Sequence, residues 1–213
     1  MAGQPPTAEA LSRLPTDEDL ERLEWASLDY YLKEVNLENG LVRDKTDPAA
    51  PASIAAVGMA LAAVPVFVEG GVVPREFGAQ VALNHLRFFS TSAHGPEPDA
   101  TGYKGFYYHF LDFESGRRVW NWELSTIDSA FLFAGMLTVA TYFDRDTAEE
   151  AEVRRLANAL YERADWDWAR DGGPTLSHVR DSKMAPQIID IGVKAESAPF
   201  TTVALTRLGS SRK

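Results

Sequence analysis

The sequence predicts an all-α protein, a helical toroid or bundle interrupted by one β-hairpin. Three observations lead there. Several segments carry apolar residues at helical spacing and are opened by capping signals or closed by glycine. One stretch, 91–116, is rich in Gly, Pro and aromatics and has no helical period. The composition is that of an ordinary globular chain, 45% hydrophobic and 24% charged over 213 residues.

Taken in order, Thr16 opens the first helix with a Thr-Asp-Glu-Asp cap, and the helix runs to about Asn36. Leu20, Leu23, Leu28, Leu32 and Val35 share one side of it, and Asn39-Gly40 closes it. The second helix, from about Ser53 to Glu69, is apolar on nearly every side, which predicts burial between neighbours. Pro65 should kink its last turn, and Gly70-Gly71 stops it. A third helix starts at Pro74 and reaches Phe89. Tyr107 to Asp112 and Arg117 to Trp122 flank Phe113-Glu114-Ser115-Gly116 as the two arms of a hairpin. Ser125 and Asp128 cap a fourth helix through Phe143, and Thr147 and Glu150 a fifth to about Ala164. Asp165-Trp166-Asp167-Trp168 reads as the exposed end of that fifth helix. Five helices give the second one less cover than its composition demands.

Several classes of function are excluded. The chain has no cysteine, so disulfide scaffolds, thiolate nucleophiles and Cys-ligated metals are ruled out. His85, His94, His109 and His178 show no metal-ligand spacing, and no cofactor is expected. A net charge of −10 and a pI near 4.9 speak against a nucleic-acid-binding surface. The longest apolar run, Ile54 to Val68, contains Pro65 and is too short to span a bilayer. The N-terminus lacks a basic start followed by an apolar core, so no secretory signal is visible and the chain as written reads as unexported.

The last segment differs in character. All five Trp and all seven Tyr precede Asp171, and Phe200 is the only Phe, Trp or Tyr after it. In residues 180–213 basic residues outnumber acidic ones, although the whole chain is acidic. The expected organisation is a flexible 1–15, a helical body over 16–179 and an unrelated tail over 180–213.

Chemistry concentrates between Gly102 and Ala130. Aromatic faces stack on the C–H faces of sugars, and carboxylates bind hydroxyls or act as acid and base, so this mixture suits a glycoside-cleaving cleft. Glu123, flanked by Trp120 and Trp122, suits a proton donor. Asp128, in the first turn of a helix, suits a cap or an ionised partner. The bland readings are a hairpin with one aromatic face on the core, Glu123 pinned by Arg117 or Arg118, and His109 as a hydrogen-bonded strand residue.

The run GLVRDK at 40–45, PASIAAVGMALAAVPVFVEGGVVPRE, LNHLRFF, TGYKGFYYHFLDFESGRRVWNWELSTIDSAFLFAGML and YFDRDTAEEAEVRRLANALYERADWDWA together resemble one family. It is the bacterial glucoamylase-like family of endo-β-1,2-glucanases and cyclic β-1,2-glucan synthase domains, matched from about Asp19 to Ser177. The resemblance implies the first half of an (α/α)6 toroid and hydrolysis of β-1,2-linked glucan by an inverting, two-carboxylate mechanism without a metal. It places Tyr103, Lys104, Tyr107, His109, Asp112, Glu123 and Asp128 in a loop facing the cleft. Trp122 stands where relatives often carry a smaller residue. Glu123 and Asp128 are the expected catalytic pair, with Tyr103, Lys104, Tyr107, His109, Asp112 and Trp122 binding substrate. Relatives are often exported or periplasmic. They continue past the helix-five tryptophans with further helices, whereas here Arg180 begins unrelated sequence, the pattern a frameshift or truncated gene model leaves. The expected protein is therefore a partial, inactive glycoside hydrolase, or else a non-catalytic glucan-binding or partner-binding module. Uncovered helix faces, at roughly 25 cal/mol per Å² of apolar surface, predict self-association.

Overall fold

The computed structural model describes residues 15–170, 172–174 and 176, and the backbone of Val179–Arg180. The expectations for 1–15 and 180–213 therefore lie outside the described residues, apart from Pro15 and Arg180.

The body is mostly helical, as predicted. Helix α1 spans Asp17–Lys33, with Thr16 and Asp19 closing a reciprocal capping box. Helix α2 spans Ile54–Glu69 and continues through Pro65 to its stop at Gly70. Helix α3 spans Arg75–Thr91, α4 spans Thr126–Tyr142 and α5 spans Ala148–Glu162. The hydroxyls of Ser125 and Thr147 accept from the Asp128 and Glu150 amides, as the sequence signals require. A short α6, Trp166–Arg170, is separate from α5. Asp165 caps it by accepting from the Trp168 amide at 3.0 Å, so the Asp-Trp-Asp-Trp run is a new helix start and not the exposed end of α5.

Helices α2 to α5 form the body: α2 packs most extensively on α4, α4 on α5, α5 on α3 and α3 on α2. The α2–α4 contact is a backbone crossing. A Cβ on Gly58 would lie 2.3 Å from the Phe131 carbonyl oxygen, and one on Gly135 2.0 Å from the Gly58 carbonyl oxygen. The cover that α2 needs thus comes from α4 at touching distance, and Ile54, Val57, Leu61, Val64 and Phe67 are buried. Met59 and Val66 remain exposed. Helix α1 differs from its expectation: none of its residues is buried, and Leu20, Leu23, Trp25 and Leu32 are exposed. Its apolar stripe is present, with Leu28 and Val35 half-buried and Val35 packed on the core, but no described element covers Leu20, Leu23 or Leu32. A groove of about 570 Å³ lies beside α1, walled by Tyr31, Leu32, Phe67, Val73, Phe77 and Val81.

The irregular segment forms short strands that fasten to the helix starts. Strand β1, Ala52–Ser53, leads into α2 and pairs antiparallel with β4, Phe110–Leu111. A second sheet has the order β2 (Gly102–Tyr103), β3 (Phe106–Tyr108), β5 (Leu124–Ser125) and β6 (Val179–Arg180). Strand β5 leads into α4. The predicted turn at 113–116 forms, with the Gly116 amide on the Asp112 carbonyl at 2.8 Å. Its second arm, 117–122, is not a strand and bridges β4 only at Leu111 and Arg118.

Two histidines with buried ring nitrogens are expected to make the fold acid-sensitive. Both ring nitrogens of His94 are buried, and its ring meets Tyr107 edge-on at 5.0 Å. Burial, aided by the Arg163 charge, pushes its pKa from 6.5 down to about 4. His85 is likewise lowered by burial, its Nδ1 donating to the Val81 carbonyl at 2.8 Å. Because the unfolded chain takes up the proton first, this stability is complete above pH 6.5 and is lost as pH falls towards 4. Urea titrations at pH 7 and pH 5 should show a smaller loss of stability in His94→Phe than in the parent. Equal losses would remove His94 as a cause.

Candidate functional site

The site is built where the two small sheets meet. His109 is the single residue between β3, which pairs with β5, and β4, which pairs with β1. Its backbone is held on both sides: its amide donates to the Glu123 carbonyl at 3.1 Å, and its carbonyl accepts from the Ile54 amide at 3.3 Å. Its ring stacks on Phe110 at 3.9 Å and meets the edge of Trp122 at 6.1 Å.

That register brings the acid to the histidine. Continuing the ladder from Leu111 and Arg118 would set His109 opposite Trp120, whereas the β3–β5 pairing of Tyr108 with Leu124 sets it opposite Glu123. The difference is absorbed at Trp120 and Asn121, which both take left-handed backbone, with φ of 52° and 68°. Consecutive non-glycine residues there are strained, and the result is a bulge that re-aims its neighbours. Arg118 staples the bulge by donating to the Trp122 carbonyl at 2.6 Å and stacking on Tyr108 at 4.0 Å. Trp120 is thrust out to 65% exposure and Trp122 to 41%.

Three titratable groups converge beside these tryptophans. His109 Nδ1 lies 3.0 Å from Glu123 Oε1 and 3.7 Å from Asp128 Oδ2. Asp128 is also tied to its helix start: the Ser125 hydroxyl donates to Oδ2 while accepting from the Asp128 amide at 3.1 Å. Glu123 and His109 each keep a quarter of their side-chain surface open, and Asp128 keeps 17%. This arrangement offers two carboxyl groups, one imidazole and a wall of indole, open to solvent on one side.

The four remaining residues expected to bind substrate lie away from this group. Tyr107 is fully buried, with its hydroxyl against Arg163 and the Phe89 carbonyl, and burial pushes its pKa up to about 12. It is a core residue. Asp112 accepts from the Ser115 amide at 2.8 Å and the Ser115 hydroxyl at 2.7 Å, which hold its carboxyl below the usual range. It closes the turn. Tyr103 and Lys104 form a second group with α6: Tyr103 meets Trp168 at 5.8 Å, and Lys104 pairs with Asp165 at 3.1 Å. Glu123 is not pinned by arginine, since Arg117 pairs with Asp99 and Arg118 serves the bulge. Trp120 and Phe110 are the site residues that sequence reasoning did not assign. The sequence signal for Trp120 was its spacing from Trp122, two aromatics bracketing Asn121. Among the described residues, no cluster of His, Asp and Glu is arranged to hold a metal ion, and no helix is long and apolar enough to cross a membrane.

No family model matches the chain. A curated relative, the exo-β-1,2-glucooligosaccharide sophorohydrolase (non-reducing end) of Parabacteroides distasonis, is 27% identical over 170 residues, which is 76% of this chain and 22% of the relative. Among solved structures, a glucoamylase-like protein of Bacteroides uniformis is 25% identical with a TM-score of 0.68, covering 80% of this chain and 42% of the other. A β-1,2-glucanase from Parabacteroides distasonis has a TM-score of 0.69 at 24% identity, over 81% of this chain and 25% of that one. An endo-β-1,2-glucanase from Chitinophaga pinensis shares the fold with a TM-score of 0.67 at 19% identity, over 80% and 42%. The chain thus spans less than half the length of each of these relatives. Over about four fifths of its own length, this chain is similar to the glucoamylase-like and β-1,2-glucan-hydrolysing proteins, and it corresponds to a part of them.

Proposed function

We propose that the chain carries one wall of a β-1,2-glucan-cleaving site in an (α/α)6 toroid, with Glu123 as the proton donor of an inverting hydrolysis. The observation that carries this reading is the meeting of Glu123, His109 and Asp128 beside the exposed indoles of Trp120 and Trp122. Glu123 would protonate the glycosidic oxygen as its bond to the anomeric carbon breaks. A water activated by a second carboxylate would attack the opposite face. The indoles would stack on the sugar rings.

Asp128 is the expected second carboxylate, and the geometry bears on that role. Both carboxyl oxygens reach the same ring nitrogen, so they can be no farther apart than 3.0 Å and 3.7 Å laid end to end. An inverting pair needs roughly 6.5–9.5 Å to admit a water. The two distances total 6.7 Å, which only just reaches the low end of that range, so we take Asp128 as support for Glu123, with the water-activating carboxylate supplied from elsewhere in a longer protein. On this reading the 213-residue chain grips glucan without cleaving it.

The test is an assay of the chain, and of its Glu123→Gln and Asp128→Asn variants, on linear β-1,2-glucan, with indole fluorescence as the binding readout. The expected result is no hydrolysis, binding that survives both substitutions, and binding weakened at least about tenfold, or about 1.4 kcal/mol, in Trp122→Ala. Hydrolysis by the parent that both substitutions abolish would make Asp128 the base after all. A chain that neither binds nor cleaves the polymer would remove the glucan reading.

A further inference from the structure

The structure assigns His109 a task beyond touching substrate: it orients Glu123, and so selects the carboxyl oxygen that carries the reactive proton. This rests on the proposed role of Glu123 as proton donor.

The imidazole has little freedom. Its backbone is bonded to Glu123 on one side and Ile54 on the other. Its ring lies nearly parallel to Phe110, 15° between planes. Nδ1 faces Glu123 Oε1 at 3.0 Å. We assign the ring's proton to Nδ1, so that Oε1 is the acceptor of this hydrogen bond. The Asp128 carboxyl, 3.7 Å from the same nitrogen, favours a proton there as well. It is itself kept in place by the Ser125 hydroxyl.

With Oε1 occupied as an acceptor, a proton on Glu123 has one oxygen left to occupy, Oε2. His109 thereby fixes both the rotamer of the acid and the face from which it donates. After the proton leaves, the same Nδ1–H stabilises the carboxylate. Without the ring, the carboxyl group turns freely and either oxygen carries the proton. His109 is thus a positioning residue acting through Glu123.

The experiment uses the full chain labelled with ¹⁵N and ¹³C. Ring nitrogen shifts report the tautomer of His109, and side-chain couplings report the rotamer of Glu123. The neutral ring should be the Nδ1–H form in the parent and in Asp128→Asn, and should lose that preference when both acceptors go, in Glu123→Ala/Asp128→Asn. Glu123 should hold one rotamer in the parent and in His109→Asn, whose amide N–H stands in for Nδ1–H. It should average among rotamers in His109→Ala while amide shifts remote from the site stay unchanged. An Nε2–H ring in the parent, or a single Glu123 rotamer in His109→Ala, would overturn the assignment. If His109→Ala does not fold, the tautomers of the parent and of Glu123→Ala/Asp128→Asn decide it alone. Neither readout needs turnover, so a chain that neither binds nor cleaves glucan would remove the glucan reading and leave this one to be judged separately.

Discussion

Gly135→Ala should be among the most damaging single-atom-scale changes in this protein. The added carbon would sit 2.0 Å from the Gly58 carbonyl oxygen, and in Gly58→Ala 2.3 Å from that of Phe131. In both cases the obstacle is backbone, so no side chain can swing aside and the two helices must separate. Overpacking in a dense core costs about 1–3 kcal/mol or more, against a net stability of about 5–15 kcal/mol. We expect at least about 3 kcal/mol, which lowers Tm by roughly 6–12 °C for a domain of this size. Gly71→Asn is the control: Gly71 has φ +69° with open space around it, and Asn tolerates that backbone. A Gly135→Ala protein melting within about 2 °C of the parent would show that the crossing is looser than described.

Glu150→Ala should cost a comparable amount by a different route. Glu150 accepts from Arg75 Nε and Nη2, both at 2.9 Å, and from the Arg145 amide at 2.7 Å. Its side chain is 6% exposed, and that of Arg75 14%. Removing the carboxylate leaves a nearly buried guanidinium with the Tyr142 carbonyl, the exposed Asp144 and the Tyr142 and Phe143 rings. Losing one partner of a buried pair costs about 3–5 kcal/mol, while replacing both by apolar groups is often close to neutral. Urea unfolding should therefore rank Glu150→Ala well below Arg75→Met/Glu150→Leu, and a double variant no better than the single one would refute the argument. Acid should act on the same pair. The hydrogen bond from Arg75 holds the Glu150 carboxyl below its usual value of 4.5. The stability it contributes is complete above 4.5 and is lost as pH falls through the lowered value.

Much of this was legible in the chain. Thr16 with Asp19, Ser125 with Asp128 and Thr147 with Glu150 announced three helix starts, because a cap is a local signal. The apolar stripe of α1 was equally legible, yet Leu20 and Leu23 are exposed: periodicity tells which residues share a face, not whether anything covers it. Gly58 and Gly135 passed unnoticed. Glycine within a helix reads as a weakness, and close approach belongs to a pair distant in sequence. Composition located Glu123, Asp128, His109 and Trp122 in one segment, but it equally offered Tyr107 and Asp112, which serve the core and a turn. The deciding feature was the register, and that depended on the left-handed backbone of Trp120 and Asn121, for which neither residue type gives a strong signal.

The placement of His109 links two levers. Strand β1 runs directly into α2 and β5 into α4, so each small sheet is the rigid extension of one of the helices that touch at Gly58 and Gly135. His109 is the pin where the far strands of both sheets join. A tightly packed interior transmits displacement rather than absorbing it, so any splaying of α2 from α4 is delivered to that pin, and through it to Glu123. The placement of Glu123 is therefore expected to follow how far apart the two helix backbones stand, and substitutions along the crossing to be felt at that carboxyl.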